Sequence, residues 1–255
     1  GSTTASSEQG PGGQITITAP DIALTSRSST EAKGATGGGT VLVGGDWQGS
    51  GNLPQATTVT MEAGASIDAS ATDMGDGGKV VLWSDIHKPD SMTTVHGSIT
   101  ARGGAQGGHG GQVETSGHAV DISGARVNAG ADRGQGGLWL IDPYNYTINA
   151  AAASAIAGDT NSGLNSGTSV TVTTTANNAS YGSSGNSAND GWILVDSNIA
   201  KTSGGDATLT LQAHAEIAIN PGVTISSTSN KLNLVLWTNY DGGSLGNITH
   251  NETLT

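Results

Sequence analysis

Short apolar runs recur along this chain, and a pair of glycines precedes several of them. Apolar and polar residues alternate at 14–18, and short apolar runs occur at residues 41–43, 80–83 and 138–141. This alternation predicts β-strands that pack one face on a core. The glycine pairs lie at residues 38–39, 77–78, 110–111, 136–137 and, in a looser form, 204–205. Recurrence of one strand-and-turn unit is typical of a stacked repeat architecture.

Three short strand patterns and three turns separate successive glycine pairs. The sequence therefore predicts an all-β fold, specifically a right-handed parallel β-helix with three strands per coil. In such a fold, Val, Ile and Leu stack as ladders in the interior. The glycines are expected where the chain bends sharply or needs a positive φ.

One segment breaks this pattern. Asn149 precedes a run of alanines and Gly158 follows it, which are good residues for the two ends of a helix. We predict one short helix near 150–158, within an insertion at 149–169, and an excursion loop at 177–190. Residues 1–13 are predicted to be disordered and tag-derived. Residues 14–255 are predicted to form a single β-helix segment excised from a longer protein.

The composition agrees with a thin, layered core. Among 255 residues there are 41 glycines, no Phe and no Cys, and aromatic residues make up only 4%. Each layer of a solenoid contacts only its neighbours, so few large side chains are needed. The net charge of −12, with only nine Lys and Arg, argues against a nucleic-acid partner. No run is long enough for a membrane-spanning helix, so membrane insertion is not expected.

Four motifs together carry a family resemblance. The unit Gly-Gly-Leu-Trp-Leu-Ile-Asp-Pro-Tyr-Asn-Tyr-Thr-Ile at residues 136–148 follows, in order, the stretches 43–49, 77–85 and 111–117. This succession resembles exoproteins of bacterial two-partner secretion, the filamentous-haemagglutinin-like adhesins, over about residues 35–250.

The resemblance implies a structural and binding segment of a large adhesin, secreted to the outer surface of a Gram-negative bacterium. Its expected roles are adhesion, aggregation or biofilm matrix contacts. It further implies an outer-membrane secretion partner, which would be recognised through an amino-terminal domain not evident in this chain. The expected ligand is a surface glycan or matrix exopolysaccharide, contacted by the loops at 48–56, 85–92 and 177–190.

Five tryptophans, at positions 47, 83, 139, 192 and 237, suggest where a glycan would bind. Their rings could form a stripe that stacks on sugars, with nearby carboxylates accepting hydrogen bonds. The alternative is that the rings fill the core while the acids form turns. The candidate ligand-binding residues are Trp83, Asp85, His87, Asp90 and Tyr181. Asn247 and Asn251 begin Asn-x-Thr sequons and are candidate glycosylation sites.

A second function remains open, because parallel β-helices also host polysaccharide lyases and glycosidases. Those enzymes need two or three acids converging on one groove, or an acid with a basic residue. The polar loop at 85–92 is the best place for such a site, but no motif fixes the spacing. We therefore expect no enzyme activity, no catalytic residues, no cofactor and no metal site.

Overall fold

The computed structural model describes residues 1–174, 190–239 and 246–250. Within these ranges the chain forms 23 strands, one α-helix and two short 3₁₀ helices at Trp47–Gly49 and Gly163–Ser166. Strands are numbered here in chain order. Every strand pairing given below is parallel.

The largest sheet has eight strands, each hydrogen-bonded to the next. In spatial order they are β2 (Gln14–Ile17), β5 (Thr40–Val43), β8 (Lys79–Trp83), β11 (Gln112–Gly117), β14 (Leu138–Pro143), β16 (Ser169–Thr173), β19 (Ala207–Ala213) and β22 (Leu232–Thr238).

Two smaller sheets accompany its first half. One contains β1 (Ser2–Thr4), β4 (Ser29–Glu31), β7 (Ser66–Asp68), β10 (Ser98–Thr100) and β13 (Arg126–Asn128). The other contains β3 (Asp21–Leu24), β6 (Thr58–Met61), β9 (Met92–Val95) and β12 (Ala119–Asp121).

Two further sheets accompany its second half. One contains β15 (Tyr146–Ile148), β17 (Ile193–Val195), β20 (Glu216–Ile219) and β23 (Asn247–His250), and the other pairs β18 (Ile199–Lys201) with β21 (Ile225–Ser227). From β1 to β14 the chain visits three sheets in strict rotation. The prediction of a mostly β chain with parallel sheets and one short helix is confirmed.

The core is a set of columns that run from strand to strand across the sheets. In the large sheet, successive pairings align Val80 with Val113, Val113 with Trp139, and Trp139 with Val170. All four side chains are completely buried. Burying such a side chain stabilises the fold by roughly 1.5–3 kcal/mol. The predicted ladders of apolar side chains are therefore present.

The glycine pairs allow the backbones of neighbouring turns to come into contact. A Cβ at Gly38, the first of its pair, would lie 1.9 Å from the carbonyl oxygen of Ala69. A Cβ at Gly39, the second, would lie 2.1 Å from the carbonyl oxygen of Gly13. The pairs at 77–78, 110–111 and 136–137 are crowded in the same way. None of the glycines in these four pairs has a positive φ, whereas Gly204 of the looser pair has a φ of +71°. Close approach is the constraint.

The single α-helix, α1 (Ala150–Ala157), takes the place of a strand. Asn149 Oδ1 accepts hydrogen bonds from the N–H groups of Ala151 and Ala152, and Gly158 ends the helix with φ +70°. The helix contacts β15 and β18, while the 3₁₀ helix that follows it contacts β13. The rotation of the chain from sheet to sheet would place a strand after β15. The helix α1 occupies that position, between β13 and β18.

The prediction that residues 1–13 are disordered is wrong. β1 pairs with β4 in register, Ser2 with Ser29 through Thr4 with Glu31. The turn that follows is also attached, because Ser7 N–H donates to the Lys33 carbonyl over 2.8 Å. A polar stretch has little strand character by itself, but the hydrogen bonds offered by the edge of β4 are enough to order it.

Replacing Gly38 with Ala tests the close approach. Because the new Cβ would strike the Ala69 carbonyl, we expect G38A to lower the free energy of unfolding by about 1–3 kcal/mol. Gly205 is the matched control, since it also stands two residues before a strand of the large sheet and a Cβ there meets nothing within 4 Å. Urea denaturation followed by tryptophan fluorescence measures both variants. Equal losses in G38A and G205A would contradict the argument.

Candidate functional site

Trp83, the first candidate for sugar stacking, is buried. It is only 2% exposed, and its indole Nε1 donates a hydrogen bond to Gln55 Oε1 over 3.1 Å. The backbone of residues 45–49 lies against the ring, since a Cβ at Gly45 or Gly49 would come within 2.5 Å of it. A sugar cannot stack on a ring covered in this way, so this assignment is wrong. The ring packs beneath the loop that contains Trp47.

Asp85, His87 and Asp90 form an ordered polar turn. Asp85 Oδ1 accepts the N–H of His87 over 3.1 Å, and the Asp85 carbonyl accepts the Ser91 hydroxyl over 2.5 Å. His87 and Asp90 are exposed. Much of the hydrogen bonding in this turn is internal, and it supports another residue: His118 Nδ1 lies 3.0 Å from the Ile86 carbonyl oxygen.

The other candidates divide into two groups. Tyr181, Asn251 and most of the loop at 177–190 lie outside the described residues. Asn247 lies in β23 with an exposed side chain, and its amide donates to the Thr249 hydroxyl over 3.2 Å. Of the tryptophans not yet discussed, Trp139 is completely buried and Trp237 is 50% exposed. The rings therefore do not form one common stripe.

An open groove lies where one sheet ends and another begins. Within the described ranges, β12 pairs only with β9, and β15 pairs only with β17. No strand ladder joins β12 to β15. Two depressions of about 390 and 280 Å³ share Val120, Tyr146 and Thr147 across this break. A third, of about 260 Å³, lies beside β17 and β20 and adjoins the second at Trp192. We call them the junction groove, lined by His118, Val120, Asp121, Tyr144, Thr147, Trp192, Leu194 and Glu216.

A stacked pair of rings lines the middle of the junction groove. The His118 and Tyr144 rings lie 4.4 Å apart with an interplanar angle of 20°. The two backbones are also joined, since Tyr144 N–H donates to the His118 carbonyl over 3.1 Å. Both residues are half-buried. The pair therefore presents a fixed aromatic surface.

Trp192 lines two of the three depressions. Asn145 Oδ1 accepts the N–H groups of Gly191 and Trp192 over 2.6 and 3.1 Å. Tyr146 N–H donates to the Trp192 carbonyl over 3.0 Å. The backbone that carries this half-buried tryptophan is therefore held on both sides.

Carboxylates line the two ends of the groove. Asp121 Oδ2 lies 3.1 Å from His96 Nε2, and Asp121 Oδ1 accepts the N–H of Ser123 over 2.8 Å. Partial burial opposes ionisation of Asp121, but the hydrogen bonds from Ser123 and His96 lower its pKa. At the other end, Glu216 is half-buried and accepts the hydroxyl of Thr249 over 3.0 Å.

Two more carboxylates are buried elsewhere on the large sheet. Glu114 is completely buried, and it accepts the N–H of Gln48 over 2.8 Å and the hydroxyl of Ser116 over 2.9 Å. Gln48 adopts a φ of +52° to make this contact. Asp142 is 3% exposed, and its Oδ1 has no hydrogen-bond partner.

Burial keeps protons on this acid pair. It raises the pKa of Glu114 to about 7, although the two hydrogen bonds act in the opposite direction. Burial also raises the pKa of Asp142 well above its usual range, and the neighbouring Glu114 carboxylate adds to the effect. A glycosidase uses one acid with a raised pKa beside a second carboxylate that stays ionised, whereas both pKa values are raised here. Here both are too deeply buried to touch a polysaccharide chain.

The sequence reasoning missed most of the junction groove. Tyr144 belongs to the unit at 136–148, but nothing in that unit indicates that its ring lines a groove. His118 and Asp121 lie about one repeat before it, and their approach depends on the register between repeats. Trp192 was among the five tryptophans, although its exposure could not be judged from alternation alone.

Comparison with known proteins gives no assignment. No protein-family model matches the chain, and no curated protein sequence matches it significantly. Within the described ranges, no three His, Asp or Glu side chains come together in a way that could hold a metal ion. In the same ranges, no helix has the length and apolar character that crossing a membrane requires.

The Glu114 proton makes stability depend on pH. The carboxyl has a pKa of about 7 in the folded chain and about 4.5 in the unfolded chain. Between these values the folded chain keeps a proton that the unfolded chain releases, so stability falls as the pH rises. The full loss, on the order of 3 kcal/mol, is reached above about pH 7.

We therefore expect E114Q to be more stable than the parent chain at about pH 8, by roughly 1–3 kcal/mol, and similar to it near pH 4. Glutamine cannot ionise but can still accept from Gln48 through Oε1. Urea denaturation at both pH values measures the difference. E216Q is the control, because it removes the same charge from a half-buried position. A loss of stability in E114Q at pH 8 would refute this account.

Proposed function

We propose that this chain is a structural and glycan-binding segment of a secreted bacterial adhesin. The junction groove is the observation that carries the binding part of the proposal. It combines a fixed His118–Tyr144 stack with Trp192 and flanking carboxylates. Aromatic faces with a few polar groups suit a sugar chain, because the rings cover apolar C–H faces while the polar groups accept hydroxyl hydrogens.

The structural part of the proposal is a right-handed parallel β-helix with three strands per coil. The rotation of the chain through three parallel sheets supports it. So do the glycine pairs, which allow successive turns to approach closely. Such a rod would act mechanically, by projecting from the outer surface of a Gram-negative cell and holding several weak sites in line. Weak contacts along a rod add through effective concentration.

The cellular part of the proposal rests on the resemblance of residues 35–250 to filamentous-haemagglutinin-like exoproteins. It includes export by an outer-membrane partner that recognises an amino-terminal secretion domain. Adhesion, cell aggregation or contact with matrix exopolysaccharide are the processes in which such a segment would act. Small-angle X-ray scattering tests the shape: a rod is expected, and a spherical particle would contradict the β-helix.

Removing the groove aromatics tests binding. We expect Y144A and W192A each to weaken glycan binding by about tenfold, because each removes a ring surface that lines the groove. A glycan array selects the ligand, and isothermal titration calorimetry then measures its affinity. W237A is the control, since Trp237 is half exposed and is not among the groove-lining residues.

Equal loss of affinity in W237A, or no loss in Y144A and W192A, would contradict the assignment of the site. The bound glycan should also remain intact. Reducing ends or unsaturated products appearing in an incubation with the purified chain would instead support the lyase or glycosidase alternative.

A further inference from the structure

The charges around the junction groove have one sign. Its lining includes the carboxylates of Asp121 and Glu216, at opposite ends. None of the nine Lys and Arg residues, all of which lie in the described ranges, is among the groove-lining residues. Because the pKa of Asp121 is lowered, this carboxylate stays ionised at neutral and mildly acidic pH.

Two histidines lie at the groove. His118 Nδ1 lies 3.0 Å from the Ile86 carbonyl oxygen, which can only accept, so this nitrogen carries a hydrogen that is used within the protein. His96 already faces Asp121 and Ser123 through its Nε2. The groove therefore offers negative charge and aromatic surface to a ligand.

This arrangement sets the chemistry of the ligand. A uronate or sulfated glycan would bring anions towards Asp121 and Glu216, within a chain whose net charge is already −12. A protonated amino group would instead pair with a carboxylate, and aromatic rings such as Trp192 attract cations through their π faces. A neutral sugar gains neither the ion pair with a carboxylate nor the attraction of a cation to an aromatic ring.

We infer that the junction groove prefers glycans that carry free amino groups over their N-acetylated or carboxylated counterparts. This inference rests on the proposed glycan binding, and it names the class of sugar that the same groove selects. A linear glucosamine chain carries amino groups along its length, and the groove has one carboxylate at each end.

Three oligosaccharides of equal length test the preference: glucosamine hexamer, N-acetylglucosamine hexamer and galacturonate hexamer. Isothermal titration calorimetry should give at least about tenfold tighter binding of the glucosamine hexamer than of its N-acetylated form at low salt. Screening should narrow this ratio as the salt rises to about 0.5 M. The galacturonate hexamer should bind weakest.

Matched double variants separate the groove from the general acidity of the chain. D121N/E216Q should lose the preference for free amines, so that the glucosamine and N-acetylglucosamine hexamers bind this variant with affinities within about twofold of each other. E8Q/D73N removes one Glu and one Asp that are exposed and not among the groove-lining residues, and it should keep the preference.

The possible failures are distinct. If the N-acetylated or galacturonate hexamer binds as tightly as the glucosamine hexamer, the charge selection is wrong while glycan binding stands. If E8Q/D73N loses the preference as D121N/E216Q does, the attraction comes from net charge and the inference is again overturned. If none of the three hexamers binds, the inference is overturned, and the proposed function is contradicted as well when the glycan array also shows no binding.

Discussion

The close approach of backbones at the glycine pairs is the constraint on which the large sheet depends. Each of the four pairs from 38–39 to 136–137 approaches turn carbonyls on both of its sides, and backbone N–H groups of the pairs complete the contact. Gly39 donates to Ala32 and Gly78 donates to Ala69, each over 2.7 Å. Because strands in a sheet lie about 4.8 Å apart, a Cβ at these corners would push neighbouring turns beyond hydrogen-bonding distance. The glycines thus keep the apolar columns of the interior in register from β5 to β14.

The outer face of the large sheet has its own packing. Leu42, Val81, Trp83 and Ile86 form a second small core, separate from the interior, and Trp47 and Leu53 pack against it. The loop that supplies this cover also buries Glu114. The N–H of Gln48 and the hydroxyl of Ser116 donate hydrogen bonds to the Glu114 carboxyl oxygens, which lowers the cost of burying them. Desolvation nevertheless favours the neutral form of the carboxyl at mildly acidic pH. The contribution of this contact between loop and sheet to the stability of the fold therefore depends on pH.

The sequence predicted the features that depend on residues close together in the chain. Alternation predicted strands, the recurring glycine pairs predicted their parallel stacking, and Asn149 with Gly158 predicted both ends of α1 because caps depend on neighbouring backbone groups. Alternation also puts Trp83 on the outer face, but it cannot tell that a loop covers that face. In the same way, β1 is ordered only through its pairing with β4. The His118–Tyr144 stack depends on register between repeats, which no stretch of sequence contains by itself.

A groove at the break between sheets is a reasonable place for binding in a fold of this kind. Continuous ladders make flat faces, whose side chains stand side by side at fixed spacing and leave little concave surface. Where β12 and β15 fail to pair, the outer face opens and rings from segments about 25–50 residues apart can converge. The opening exposes little unsatisfied backbone, because Asn145 and the His118 carbonyl accept the N–H groups beside it. The parallel strands on either side of the break therefore hold the groove in place.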